Sequence, residues 1–152
     1  MFKGLKRQKR AFTLIEIIIV IAILVILVSI TVSSFGNVGG SQALDTTTTS
    51  VISVLNEAKS MAVSSKDASD YGVRILNNKL ISFKNSYGTE NKELTISSLV
   101  SISTSTGIGT DVIFNNVSGN ANASGTITVT VLKDQTKSNT IRVYSTGVIE
   151  KL

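Results

Sequence analysis

The sequence predicts an α+β fold: an apolar N-terminal helix, continued by an amphipathic helix that packs on an antiparallel β-sheet. Three observations lead there. An aliphatic run lies close to the N-terminus, a stripe with three- and four-residue spacing follows it, and the second half alternates with a period of two. At 152 residues the chain has room for one domain plus an anchor.

Residues 1–11 form a short basic leader. Lys3, Lys6, Arg7, Lys9 and Arg10 supply five of the fifteen basic side chains. Residues 12–35 then read FTLIEIIIVIAILVILVSITVSSF, uninterruptedly apolar from 17 to 28. The stretch 12–32 contains 21 residues. At a rise of about 1.5 Å per residue it spans the roughly 30 Å hydrocarbon core of a bilayer. Its isoleucines and valines would suit a buried strand, but strands usually run only about four to eight residues. A transmembrane helix is therefore expected. All five leader cations precede it and no basic residue follows until Lys59. The positive-inside rule puts the N-terminus in the cytoplasm and the rest in the periplasm or outside the cell.

Residues 36–65 comprise a glycine joint, Gly36-Asn37-Val38-Gly39-Gly40, and an amphipathic helix. The joint is expected to separate the two helices. Leu44, Thr48, Val51, Leu55, Ala58 and Ala62 make one helical stripe. Asp45, Glu57, Lys59 and Lys66 fall off it and face water. The threonine run 46–49 has poor helix propensity, so the first turns are expected to be the weakest. Ser60 and Met61 read as simple core packing.

Residues 66–152 read as β-structure. Strands are expected at 71–76 and 79–84, flanking Asn77-Asn78, a pair that tolerates the positive φ angles of a tight turn. Others are expected at 93–102, 111–115, 126–133, 140–145 and 148–151. Ile127, Val129 and Val131 alternate with Thr126, Thr128 and Thr130, the period of a sheet with one buried face. The segment 115–125, NNVSGNANASG, is a loop by composition.

Composition excludes several function classes. The formal charge is +5, but from Phe12 onward ten basic and ten acidic side chains cancel. The body therefore offers no footprint for phosphate backbones, and no nucleic-acid partner is expected. Cysteine and histidine are absent. That removes disulfides, most zinc sites and any Ser/His/Asp triad, so neither enzymatic function nor a cofactor is expected. Asp67, Ser69 and Asp70 lack the regular ligand spacing of a calcium loop and read as a solvated loop. Asn116-Val117-Ser118 and Asn122-Ala123-Ser124 match the glycosylation sequon but reflect loop composition.

One residue is out of place in the apolar run. Glu16 carries a carboxylate where an acidic group costs about 2.5–3.5 kcal/mol or more at a membrane-helix centre, so it needs a partner. A cut between Ala11 and Phe12 would create one, a cationic α-amine on Phe12. Four residues of helix would put it roughly 6 Å from Glu16 along the axis; in a stack of helices it would meet a neighbour's Glu instead.

The string Lys9-Arg10-Ala11-Phe12-Thr13-Leu14-Ile15-Glu16, followed by the apolar run, resembles the processing signal of type IV prepilins and type II secretion pseudopilins. The resemblance implies removal of the leader by a membrane-embedded prepilin peptidase, N-methylation of Phe12 by the same enzyme, and Glu16 as the assembly acid that pairs with a neighbour's N-terminus. The family almost always has glycine before the cut. Here alanine stands at position 11, the commonest substitute because the pocket takes a small residue.

Further along, Ala58-Lys59-Ser60-Met61-Ala62 resembles the Ala-Arg-Ser-x-Ala of the H-type minor pseudopilins, with Lys for Arg. Phe114 and Gly119 approximate that group's Phe-x-x-x-Gly element with one extra residue, and Gly147 matches its terminal Gly turn. The implied partners are other pilin or pseudopilin subunits, the peptidase and methyltransferase, an inner-membrane assembly platform and membrane lipid. The machine stays open among type II secretion, a type IV pilus and a DNA-uptake pseudopilus. Two other readings remain. One is a secretory signal peptide, against which Glu16 and FTLIE argue. The other is a cell-surface binding module or adhesin held by a single helix, suggested by the Ser/Thr-rich β-region.

Overall fold

The structure is a computed structural model that describes residues 12–64, 68–85, 88 and 92–152, with backbone only for 30–38. The leader, including Ala11, lies outside the described residues, as do Lys66 and Asp67. Contacts divide the chain into two compact units, residues 1–37 and 38–152.

In the first unit Phe12 and Thr13 precede the helix α1 (Leu14–Val63). The large apolar side chains from Leu14 to Val28 are each about half exposed or more. Within the first unit these side chains leave a continuous apolar surface open. Among the described residues no helix is long and apolar enough to cross a membrane.

The glycine joint does not interrupt the helix, contrary to expectation. The backbone is helical through residues 36–40. Each glycine costs a helix about 1 kcal/mol relative to alanine, and close packing accounts for Gly40 in the second unit. A β-carbon on Gly40 would stand 3.0 Å from Val131 Cγ1, tighter than most such contacts, whereas one on Gly39 would make an ordinary contact at 3.8 Å from Leu99 Cδ1. Gly40 thus lets α1 approach the sheet.

The whole stripe is buried: Leu44, Thr48, Val51, Leu55, Ala58 and Ala62. Even the low-propensity threonine run is tied down. Thr48 Oγ1 donates to the Leu44 carbonyl at 2.7 Å and accepts from Asn139 Nδ2 at 3.1 Å. The same amide donates to Asp45 Oδ1 at 3.2 Å. Tertiary bonds from the sheet thus offset weak local propensity. Met61 packs against the core as expected, whereas Ser60 is exposed.

Two four-stranded antiparallel sheets cover the stripe, where the sequence suggested one. The first has the order β3 (Lys92–Thr95), β2 (Lys79–Lys84), β1 (Tyr71–Ile75), β5 (Asp111–Phe114). The second has the order β4 (Val100–Thr104), β6 (Gly125–Val131), β7 (Asp134–Val143), β8 (Ile149–Lys151). The β1–β2 hairpin turns at Asn77-Asn78 as expected, closed by Leu76 N–H to the Lys79 carbonyl at 2.9 Å, but neither asparagine takes up the positive φ that the pair would tolerate.

The expected strand 93–102 is two strands in different sheets. Ser97 breaks it: its hydroxyl accepts the Leu99 N–H at 3.3 Å and its carbonyl accepts the Val100 N–H at 3.4 Å, which turns the chain from one sheet to the other. Strand β7 begins six residues earlier than expected, at Asp134, because backbone pairing with β6 carries polar residues that side-chain alternation does not mark. At that turn the Asp134 carboxylate accepts the Thr136 hydroxyl at 2.5 Å, which holds its pKa below the usual carboxylate value.

Ile81 and Phe83 are buried outside the main core, on the other face of the first sheet. Phe83 lies over Gly72, its register partner. A β-carbon there would come within 2.4 Å of the Phe83 ring. Gly72→Ala should therefore destabilise the protein by about 1–3 kcal/mol, the usual scale of overpacking. Urea denaturation of the single variant and of Gly72→Ala/Phe83→Leu checks this, with the second change restoring much of the loss.

Candidate functional site

The residues of the N-terminal motif meet at the start of α1. Glu16 N–H donates to the Thr13 carbonyl at 3.1 Å and to Thr13 Oγ1 at 3.3 Å, and Ile17 N–H donates to the same carbonyl at 3.3 Å. Thr13 is thus the N-cap, and its hydroxyl satisfies a helix N–H that has no partner within the helix. Glu16 sits three positions later, in the first turn, where the helix dipole favours an anion.

Phe12 stands outside the helix and is 76% exposed. The geometry expected from sequence, with Phe12 as the first helical residue, is therefore corrected by two residues: capping by Thr13 starts α1 at Leu14. Among the described residues the Glu16 carboxylate has no ion-pair partner; its bond to Thr13 comes from the backbone N–H.

A second cluster forms at the other end of α1, and it gathers the three later elements of the family resemblance. The loop after Phe114 caps the helix: Val117 N–H donates to the Ala62 carbonyl at 3.0 Å. To do so Val117 adopts φ +67°, a left-handed conformation that costs a β-branched residue roughly 1–2 kcal/mol. Gly119 follows at φ +66°, where a β-carbon would come within 2.5 Å of Val63 Cγ2. A β-carbon on Gly147, at φ +74°, would come within 2.0 Å of the Gly119 carbonyl oxygen.

The aliphatic stem of Lys59 lies over both glycines, with Lys59 Cε 3.5 Å from the β-carbon position of Gly119 and 3.4 Å from that of Gly147. So Lys59, Ala62, Gly119 and Gly147 form one junction between the helix, the 115–121 loop and the β7–β8 turn. Lys59 is half-buried there and does not simply face water. No sequence period signals this junction; the only marks are two glycines and the matched motifs.

The reading of Ser69 and Asp70 as part of a solvated loop is also corrected. Ser69 is buried, and Asp70 Oδ1 accepts the Asn116 N–H at 2.6 Å while the Asp70 carbonyl accepts the Asn85 N–H at 2.8 Å. Asp70 therefore braces the capping loop. Asn122 is similarly used: its Oδ1 accepts the Ile113 N–H at 2.9 Å. Among the described residues no group of three His, Cys, Asp or Glu side chains is placed to hold a metal ion.

A cleft of about 370 Å³ opens between α1 and the edge strand β3, floored by Val54, Leu80 and Leu94. Its charged side chains are committed to ion pairs, Lys92 to Glu57 at 3.3 Å and Glu93 to Lys79 at 3.2 Å.

The junction makes opposite predictions for two of its residues. Gly147→Ala should destabilise the fold by about 2–5 kcal/mol, through strain and overlap together. Val117→Gly should stabilise it by roughly 1 kcal/mol, since it relieves the strain and leaves the capping N–H in place. Chemical denaturation of each variant measures both.

The Prokaryotic N-terminal methylation motif matches residues 6–32. No curated protein sequence matches the chain. The described fold is similar to the type IV minor pilin FimU of Pseudomonas aeruginosa, at 12% identity and a TM-score of 0.60, covering 72% of this chain and 87% of that one. A second crystal form of FimU gives 13% identity and 0.53, covering 66% and 85%. The minor pseudopilin EpsH from the Type 2 Secretion System of Vibrio cholerae gives 14% identity and 0.55, covering 72% and 95%. An N-terminal methylation motif of the prokaryotic prepilin type and the α+β fold of minor pilins and pseudopilins thus occur together in this chain.

Proposed function

We propose that the chain is a minor pilin or pseudopilin, a structural subunit of a type IV pilus or type II secretion filament, and that it catalyses no reaction itself. The precursor inserts through residues 12–35 with its N-terminus in the cytoplasm and residues 38–152 in the periplasm or outside the cell. Prepilin peptidase cuts between Ala11 and Phe12 and methylates the new amine of Phe12. Membrane lipid and an inner-membrane assembly platform hold the subunit until it enters a filament.

The observation that carries this reading is Glu16, a carboxylate without an ion-pair partner among the described residues, in the first turn of an apolar helix inside a matched methylation motif. Leaving the membrane for water would cost about 1.5–3 kcal/mol for each large apolar side chain, so the helices must leave into a bundle of their own kind. Within that bundle a lone carboxylate is strongly destabilising, and the methylated amine of a neighbouring subunit satisfies it. A plain anchored binding module accounts for the helix but not for the motif, and a secretory signal peptide accounts for neither Glu16 nor FTLIE.

Glu16→Ala tests the pairing. Insertion and cleavage should proceed as in the parent chain, while the amount recovered in sheared filaments falls about thirtyfold or more. That is the scale expected from losing one partner of a desolvated charge pair, ~2 kcal/mol or above. Incorporation equal to the parent's would remove Glu16 from assembly.

A further inference from the structure

We infer that the tip of the β6–β7 hairpin, Leu132 and Lys133, docks together with Leu99 on an anionic phospholipid surface. The inference rests on the membrane insertion proposed above. It adds a second lipid contact, made by residues 38–152, to the one made by the apolar stretch.

Contacts within the second unit fix the place of this tip. A β-carbon on Gly39 would lie 3.8 Å from Leu99 Cδ1, and one on Gly40 3.0 Å from Val131 Cγ1. Leu132 N–H donates to the Leu99 carbonyl at 3.0 Å, and Lys137 Nζ donates to Ser41 Oγ at 3.4 Å. Leu99 and the turn at Leu132 and Lys133 therefore gather beside the first residues of the unit, which begins at residue 38. Gly39 follows Val32, the last residue of the apolar stretch, by seven residues. Their backbone is helical, and at ~1.5 Å per residue they advance about 10 Å. A headgroup layer is itself about 5–7 Å deep on each side of the hydrocarbon core. The chain thus tethers this end of the unit within a side chain's reach of the headgroups.

The chemistry of the tip suits that surface. Leu132 is 53% exposed and Leu99 39%. Single exposed leucines are common, but these two share one end of the unit and flank a cation. Lys133 is exposed and has no ion-pair partner among the described residues. The adjacent carboxylate of Asp134 is matched by Lys137 at 3.7 Å, so the turn carries a net positive charge. Leucines at the acyl boundary with an ammonium among phosphates is the arrangement of an interfacial anchor.

The chain contains no tryptophan, so an introduced indole reports its own surroundings. Full-length Leu132→Trp is placed in vesicles of phosphatidylglycerol and phosphatidylcholine brominated on the upper acyl chain. Its emission should be blue-shifted and quenched by the bromine. Val148→Trp sits at a half-exposed turn residue next to Gly147, which packs by Lys59 near the far end of α1, and should be neither shifted nor quenched. Leu27→Trp, inside the apolar stretch, reports insertion itself and should be quenched. Lys133→Gln added to Leu132→Trp should lower the ratio of docked to undocked tip about fivefold, the effect of one cation at an anionic surface.

With Leu27→Trp quenched, emission from Leu132→Trp that matches Val148→Trp overturns the inference alone. So does a blue shift that bromine leaves unquenched, which means that the tip packs on protein, or quenching that Lys133→Gln leaves unchanged. If Leu27→Trp is not quenched, the proposed membrane insertion falls, and the inference with it.

Discussion

One helical stripe organises residues 38–152. Val51 and Leu55 lie at the centre of α1's buried face, and both sheets contribute to the core around them: Val73, Leu80 and Val112 from the first, Ile127, Val129 and Ile141 from the second. Fully burying side chains of this size is worth about 1.5–3 kcal/mol each. The flanking features serve that burial. Gly40 lets the helix come close to its sheet, Asn139 ties the threonine run, and the Val117 loop closes the last turn. The strained φ of Val117 is then the local cost of ending a buried helix against a β-domain.

The two ends of α1 pose the same physical problem and solve it differently. A helix terminus leaves backbone groups unpaired, and each must find a partner. At the N-terminus a side-chain hydroxyl, Thr13, takes up an N–H. At the C-terminus a distant backbone N–H, from Val117, satisfies the Ala62 carbonyl, with Gly119 and Gly147 giving the room. The first cap is local and readable as Thr-x-x-Glu, a sequence that begins helices. The second is tertiary, which is why the three family-like elements lie far apart in sequence and adjacent in space.

That contrast also explains how much was legible beforehand. The stripe from Leu44 to Ala62, the 79–84 strand and the Asn77-Asn78 turn depend on local spacing and local turn chemistry, and all stand where the sequence placed them. The break at Ser97, the early start of β7 and the second sheet depend on backbone pairing between distant segments, which side-chain alternation does not encode. The glycine joint misled because glycine favours both a helix break and a close contact, and only the position of Val131 decides between them. At the candidate site one misplaced charge singles out Glu16 and, through it, Phe12, whose roles belong to the proposed function. Thr13 was overlooked because it sits where the motif is already conspicuous.

Charge and hydrophobicity at the N-terminus set the demands that processing meets in the proposed function. In that proposal the cations of the leader hold one end in the cytoplasm, and the apolar run holds the subunit in lipid. The proposed cleavage would convert a neutral peptide group at Phe12 into the cation that Glu16 requires, so the same event would free the helix and supply its counter-charge. Mass spectrometry of the mature N-terminus tests this account most directly. It predicts a chain beginning at N-methyl-phenylalanine 12; an N-terminus at Met1, or one beyond Ser33 as a secretory cut would leave, contradicts it.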